Sequence, residues 1–252
     1  MENNNQLIDT LSKIRKRSIV PDSGFSVACV IKDESGDFYT GANIEFIDRT
    51  LGICAEGAAI SKMLSEHGPR QIKKVYLMGG SNGSEDTEDL LVPCGICLQR
   101  LSELACPEAI VEVLDPKIHK KTKFYLKELL PHANTLRDYF PQHTNYQNQI
   151  TFDNIPRALQ LLLEWNYSPD SKKKEAVILK TEKNHFFCGV YFSTCCYKAD
   201  IHALNMAVYN FLLSDFKHER ITNLFYTSND PYFHIHPEFS ILLHGAIIKG
   251  DK

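Results

Sequence analysis

The stretch ACVIKDESGDFYTGA, beginning at Ala28, returns in outline 148 positions later as AVILKTEKNHFFCGV, beginning at Ala176. Each reads as an apolar strand, a charged turn, an aromatic strand and a closing glycine, the pattern of a β-hairpin. The register then runs on without a gap, placing Lys180 on Lys32, Phe186 on Phe38, Gly189 on Gly41 and Ala207 on Ala59. With one added residue, ITNLFYTS at 221 falls on IKKVYLMG at 72. Two unrelated hairpins can share a pattern by chance. A register that continues through the next helix implies duplication, so the chain is expected to fold as two copies of one unit.

The first copy is the more regular to read. Leu7, Ile8, Leu11 and Ile14 repeat at helical spacing ahead of the turn PDSG at 21–24, an accessory N-terminal helix. FSVACVIK and DFYTGANIEF form the hairpin through DESG. GAAISKMLSEHG gives a helix stopped by Gly68 and Pro69, KKVYLMGG a short strand, SNGSEDTED a polar loop, and LVPCGICLQRLSEL a second helix. Phe124 to Leu130 reads as a further helix ended by Pro131. Alternating strand and helix implies a layered α/β architecture. IPRALQLLLEW is an amphipathic helix, and SPDSKKKE reads as a solvated turn. The predicted organisation is an N-terminal helical extension at 1–20, a first domain at 21–140, a linker over PQHTNYQNQITFDN at 141–154, and a second domain at 155–252.

A chain of 252 residues with 43% hydrophobic side chains can bury a substantial core. Its formal net charge of −3 supplies no bulk basic field for a nucleic-acid backbone, so a small or neutral partner fits better. The opening MENNNQLID lacks the apolar centre of a signal peptide, and no apolar run reaches the roughly 18 residues of a membrane span, so a cytoplasmic address without a membrane partner is expected. Eight cysteines in this length do not make a disulfide scaffold. In a reducing compartment, thiols near one another suggest metal binding or catalysis.

Cys54, Cys94 and Cys97 are the group that matters. The two thiols of CGIC can converge on one ion from the start of a helix, and a third from another helix leaves a tetrahedral ion one open position. Both cysteine sites fall near helix N-termini, where unpaired N–H groups stabilise negative sulfur. Thiolates favour zinc, which can bring the pKa of bound water to about 7. Glu56, two residues beyond Cys54, is placed to carry a proton between water and a substrate. The repeat loses this chemistry: at the same offset Cys54 becomes His202, Glu56 becomes Leu204, Asn43 becomes Tyr191 and Glu45 becomes Ser193. The second half therefore reads as scaffold.

CAExxAI followed by PCGxC resembles the zinc-dependent cytidine deaminase family, from about Phe25 to Pro131. The full plan, an active half and a degenerate half, is similar to the two-domain dimeric members. The resemblance implies a duplicated three-layer α/β/α domain with a mixed five-stranded sheet, and hydrolytic deamination of cytidine or 2′-deoxycytidine to the uridine product and ammonia. It implies Zn²⁺ held by Cys54, Cys94 and Cys97, Glu56 as proton shuttle, and a substrate site made of Phe25 against the base, Asn43 and Glu45 on the ribose, the Ala55 N–H on the pyrimidine and the Pro93 backbone near the departing amine. A free pyrimidine nucleoside, a homodimer and a place in pyrimidine salvage follow from the same likeness. Gly57 and Leu98 stand where the family frequently has arginine, so the sequence predicts a centre whose three thiolates lack a counter-cation. Two alternatives stay open at this point. One is a deaminase of another aminopyrimidine or modified nucleoside; the other is a zinc-containing structural protein of impaired activity.

Overall fold

The computed structural model describes residues 4–81, 91–114, 121–135, 150–169, 171–230 and 235–251. The polar loop from 82 to 89 and the linker from 141 to 149 lie outside the described residues. The chain falls into two compact units, residues 1–62 with 70–137 and residues 63–69 with 138–252.

The first unit opens with α1 (Asn4–Arg15), followed by β1 (Phe25–Asp33), β2 (Phe38–Ala42), α2 (Ala55–His67), β3 (Ile72–Ser81), α3 (Gly95–Leu104), β4 (Ala105–Leu114), β5 (Lys121–Tyr125) and α4 (Leu126–Leu129). Its sheet has five strands in the order β2-β1-β3-β4-β5. β1 is antiparallel to β2 and β3, β3 is parallel to β4, and β5 is antiparallel to β4. The parallel step needs a crossover, which α3 supplies. α1 is more than an accessory: Leu7, Ile8 and Leu11 are buried with Ala28 and Val30 of β1, Tyr76 and Met78 of β3 and Leu114 of β4. The segment read as a helix from Phe124 to Leu130 divides instead. Phe124 and Tyr125 pair with Val111 and Ile110 as the end of β5, and only Leu126–Leu129 is helical. Pairing with β4 overrides the local periodicity.

The second unit is built of α5 (Ile155–Glu164), β6 (Glu175–Thr181), β7 (Phe186–Val190), α6 (Ala203–Leu212), β8 (Ile221–Ser228), α7 (Pro237–Leu242) and β9 (Ile247–Asp251). Among the described residues its sheet has four strands in the corresponding order β7-β6-β8-β9, with β8 and β9 parallel. The repeat offset is visible in the backbone. The isolated bridges Ile19 to Ile44 and Ile44 to Ile53 recur as Tyr167 to Phe192 and Phe192 to Ile201. The helical turn at Arg49–Leu51 recurs at Tyr197–Ala199.

Gly41 and Gly189 show why the register is kept. A Cβ on Gly41 would come within 2.3 Å of the Ala55 carbonyl oxygen and the Ala59 nitrogen. One on Gly189 would come within 1.9 Å of the Ala203 carbonyl oxygen and 2.7 Å of the Ala207 nitrogen. In each unit the helix after the hairpin lies directly on the glycine backbone, which no larger residue permits.

Candidate metal and catalytic site

Local hydrogen bonding carries the chain from the end of β2 to the start of α2. The Ile44 and Ile53 backbones exchange bonds of 2.9 and 3.0 Å, and the Asp48 side chain accepts from the Thr50 N–H at 2.8 Å to start the short helical turn. Cys54 is thereby delivered to the first turn of α2, its carbonyl accepting from the Ala58 N–H at 3.0 Å. Cys94 does the same at α3: it follows the buried Pro93, occupies the N-cap, and accepts at its carbonyl from the Leu98 N–H at 2.9 Å. Two helix N-termini thus meet with a cysteine on each. Cys97 lies one turn into α3 and is fully buried.

The Cys54 and Cys94 sulfurs are 3.9 Å apart, and all three sulfurs lie within 4.8 Å of one another. Three Zn–S bonds of about 2.3 Å in a tetrahedron set their sulfurs roughly 3.8 Å apart, so the donors fit zinc in kind and in spacing. Electrostatics agree. Hydrogen bonds from the Cys54 and Cys97 thiols, joined by the Cys97 and Ile96 N–H groups at the helix start, hold Cys94 down to about 2. The same sharing pushes Cys54 up to about 12 and Cys97 well above the usual thiol range. One negative sulfur is steadied by two thiols whose protons a soft divalent cation displaces on binding.

Glu56 completes the group. Its side chain is almost wholly buried, and burial, joined by the negative charge at Cys94, raises that carboxyl to about 7. Arg100, one turn after Cys97 on α3, is also buried, and its Nη1 lies 2.8 Å from where a Gly57 Cβ would stand. The guanidinium thus lies in the space that glycine leaves open. Sequence reading missed Arg100 because only its spacing from Cys97, three residues on a helix, hints at a shared face.

The remaining sequence-predicted residues lie on β1, in the segment after β2 and at the start of α2. The Asn43 amide bridges to β1, its oxygen accepting from the Val27 N–H and its nitrogen donating to the Phe25 carbonyl, both at 2.8 Å, which fixes half-buried Phe25. Glu45 accepts from the Asp22 and Ser23 N–H groups at 3.0 and 3.1 Å. Ala55 is the buried first residue of α2.

In the second unit the equivalent positions are closed by ion pairing. Buried Glu175 lies 3.1 Å from Lys173 Nζ and 3.3 Å from His202 Nδ1, and Lys173 also pairs with Asp230 at 2.6 Å and lies over the Tyr191 ring. Cys54, Cys94 and Cys97 are the one three-ligand group of His, Cys, Asp or Glu among the described residues. Among those residues no helix is long and apolar enough to cross a membrane.

The chain is similar to known proteins. Residues 1–113 match the cytidine and deoxycytidylate deaminase zinc-binding region. The cytidine deaminase of Shewanella halifaxensis is 30% identical over 221 residues, covering 82% of this chain and 67% of that protein. That of Shewanella loihica is 29% identical over 193 residues, covering 75% and 60%. The chain thus spans about three fifths to two thirds of the length of these relatives. The crystal structure of cytidine deaminase from Mycobacterium leprae aligns over 52% of this chain and all of that one, with 30% identity and a TM-score of 0.42. The matched region is a zinc-binding one and the sulfur cluster suits that ion; zinc is the metal of this site.

Proposed function

The chain belongs to the cytidine deaminase family, and from that membership we propose that it hydrolyses free cytidine or 2′-deoxycytidine to the corresponding uridine and ammonia. The observation that carries the reading is the convergence of the Cys54, Cys94 and Cys97 sulfurs, with the buried Glu56 carboxyl two residues beyond Cys54. The three cysteines hold the metal. When bound, zinc supplies Lewis-acid activation of water at neutral pH.

The chain's own residues supply the rest. Glu56 takes a proton from water, gives it to N3 of the pyrimidine, and then carries a proton to the departing amine, a role that needs a carboxyl poised near neutrality in a dry site. The Ala55 N–H orients the base from the start of α2, and the Pro93 backbone stands beside the leaving group. Phe25, held by Asn43, packs against the base. Asn43 and Glu45 receive the ribose hydroxyls: a carboxylate has about four acceptor sites, so holding the 22–23 turn leaves Glu45 capacity for a hydroxyl. Polar groups matched to a sugar discriminate against a substrate without it. Free nucleosides are favoured over free bases.

The chain acts in pyrimidine salvage as a homodimer of the two-domain plan, and a cytoplasmic address fits eight cysteines of which none forms a disulfide. Ammonia release from cytidine, deoxycytidine, cytosine and modified cytidines, with zinc measured on the same sample, tests the proposal. Turnover of the two nucleosides, nearly abolished in Glu56→Gln, is expected. Full zinc with no ammonia from any of them contradicts it and favours a structural zinc protein.

A further inference from the structure

We propose that Arg100 is the counter-cation of this centre, an electrostatic positioning residue, and that residue 57 is glycine in order to admit it. The inference rests on the reading that the three cysteines hold zinc, and it concerns what surrounds them.

Charge sets the requirement. Three thiolates exceed a divalent cation by one negative charge, and an ionised Glu56 adds another. Cys97 is wholly buried and Glu56 nearly so. Uncompensated charge in such surroundings is costly, and the cost is met by a partner held at fixed distance. Arg100 is 7% exposed, so its guanidinium is not a solvated surface charge. It enters from α3, the helix that carries Cys94 and Cys97, and reaches α2, the helix that carries Glu56.

Gly57 is the receiving half of this fit. A Cβ there would stand 2.8 Å from Arg100 Nη1 and 2.6 Å from Ile53 Cδ1, so any side chain at 57 competes with the guanidinium for one space. Gly57 is the third residue of α2 and has no positive φ, so turn geometry does not call for glycine. Its intrinsic cost in a helix is about 1 kcal/mol relative to alanine. The position next to Glu56 is therefore emptied of its own side chain and filled by a cation from the neighbouring helix.

The test moves the charge in the full-length chain. Arg100→Leu removes it, Arg100→Lys keeps it, and Gly57→Arg combined with Arg100→Ala returns it from the other helix. Each protein is loaded with zinc for kinetics and with cobalt(II) for its sulfur-to-cobalt absorption band. Folding is checked by thermal melting. Arg100→Leu should lower kcat by about 10- to 100-fold, the range for residues that support metal ligands, with KM changed far less. Its cobalt band should move to longer wavelength, because thiolates without a neighbouring cation give up electrons more readily. Arg100→Lys and the relocated arginine should each recover most of both losses. Gly57→Arg alone should melt earlier than the unsubstituted chain, since two guanidinium groups then contend for one space. A folded Arg100→Leu variant with unchanged kcat and band overturns the proposal. So does a loss that tracks melting temperature and that neither lysine nor the relocated arginine restores, which marks a packing role. An unsubstituted chain that gives no sulfur-to-cobalt band removes the zinc reading itself, and the proposal with it.

Discussion

Replacing Gly41 with alanine should disturb the site from below, through a residue that touches none of its chemistry. The added Cβ would stand 2.3 Å from the Ala55 carbonyl oxygen, 2.3 Å from the Ala59 nitrogen and 2.8 Å from the Ala58 carbonyl carbon. Comfortable heavy-atom contact begins at about 3.5 Å, so β2 and α2 must part by roughly 1 Å. All three obstacles are backbone atoms of a hydrogen-bonded helix, which cannot turn aside as a side chain can. Overpacking of this kind costs about 1–3 kcal/mol. For a chain of this size each kcal/mol lowers the melting temperature by about 2–4 °C, so a fall of roughly 2–12 °C is expected. The larger effect is functional. α2 begins one residue after Cys54 and carries Glu56, and a 1 Å misplacement of catalytic groups can cost about 100-fold in turnover. Thermal melting, zinc content and kcat for cytidine on one preparation separate the two effects. A Gly41→Ala protein that melts with the unsubstituted chain and turns over at its rate refutes the packing argument. One that melts early yet keeps full turnover per zinc refutes the coupling of β2 to the site.

Other outcomes follow from the same structure. Glu56→Gln should retain zinc and lose about 10²- to 10⁴-fold in kcat, read by ammonia release, because the ligands are sulfurs and the carboxylate is the proton carrier. Asn43→Asp keeps the acceptor for the Val27 N–H at 2.8 Å but loses the donor to the Phe25 carbonyl, so KM for cytidine should rise while the melting temperature falls by only a few degrees. Gly189→Ala, whose Cβ would meet the Ala203 carbonyl oxygen at 1.9 Å, should lower thermal stability at least as much as Gly41→Ala. Burial raises the Glu175 carboxyl, but bonding to His202 and the charge of Lys173 outweigh it and leave a net lowering. As pH falls below the ordinary carboxylate value the unfolded chain therefore takes up this proton first. Stability held above that value is lost as pH falls through the lower folded value. Urea titrations between neutral pH and pH 3 should show this loss reduced in Glu175→Gln.

What the sequence makes legible is local or repeated. CAE and PCGxC state their chemistry because ligand spacing and helix starts are short-range properties, and the three sulfurs do lie within 4.8 Å. The duplication is legible because the constraint that preserves it, a helix lying on a glycine, acts at the same register in both units. Pairwise fits between elements are not legible. Arg100 reads as an ordinary helical residue until α3 is set beside α2, and Gly57 reads as an absence until the guanidinium is seen against it. Lys121 to Tyr125 shows the same limit: pairing with β4 decides that Phe124 is a strand residue, and a helical period does not sense that pairing. Asn43 and Glu45 have positions that the sequence indicates, whereas their bonds to Val27, Phe25, Asp22 and Ser23 depend on how the hairpin meets the preceding turn.

The central claim is that one zinc, held by three thiols in the first unit, is required for deamination. Its most direct test is a metal titration of the full chain: zinc is stripped by a chelator under reducing conditions, returned in steps, and deamination of cytidine is followed at each step. The account predicts activity rising linearly and reaching its plateau at about one zinc per chain, with Cys94→Ser and Cys97→Ser neither retaining stoichiometric zinc nor regaining turnover. Full turnover in the stripped chain, or stoichiometric zinc and turnover in those serine variants, would contradict it.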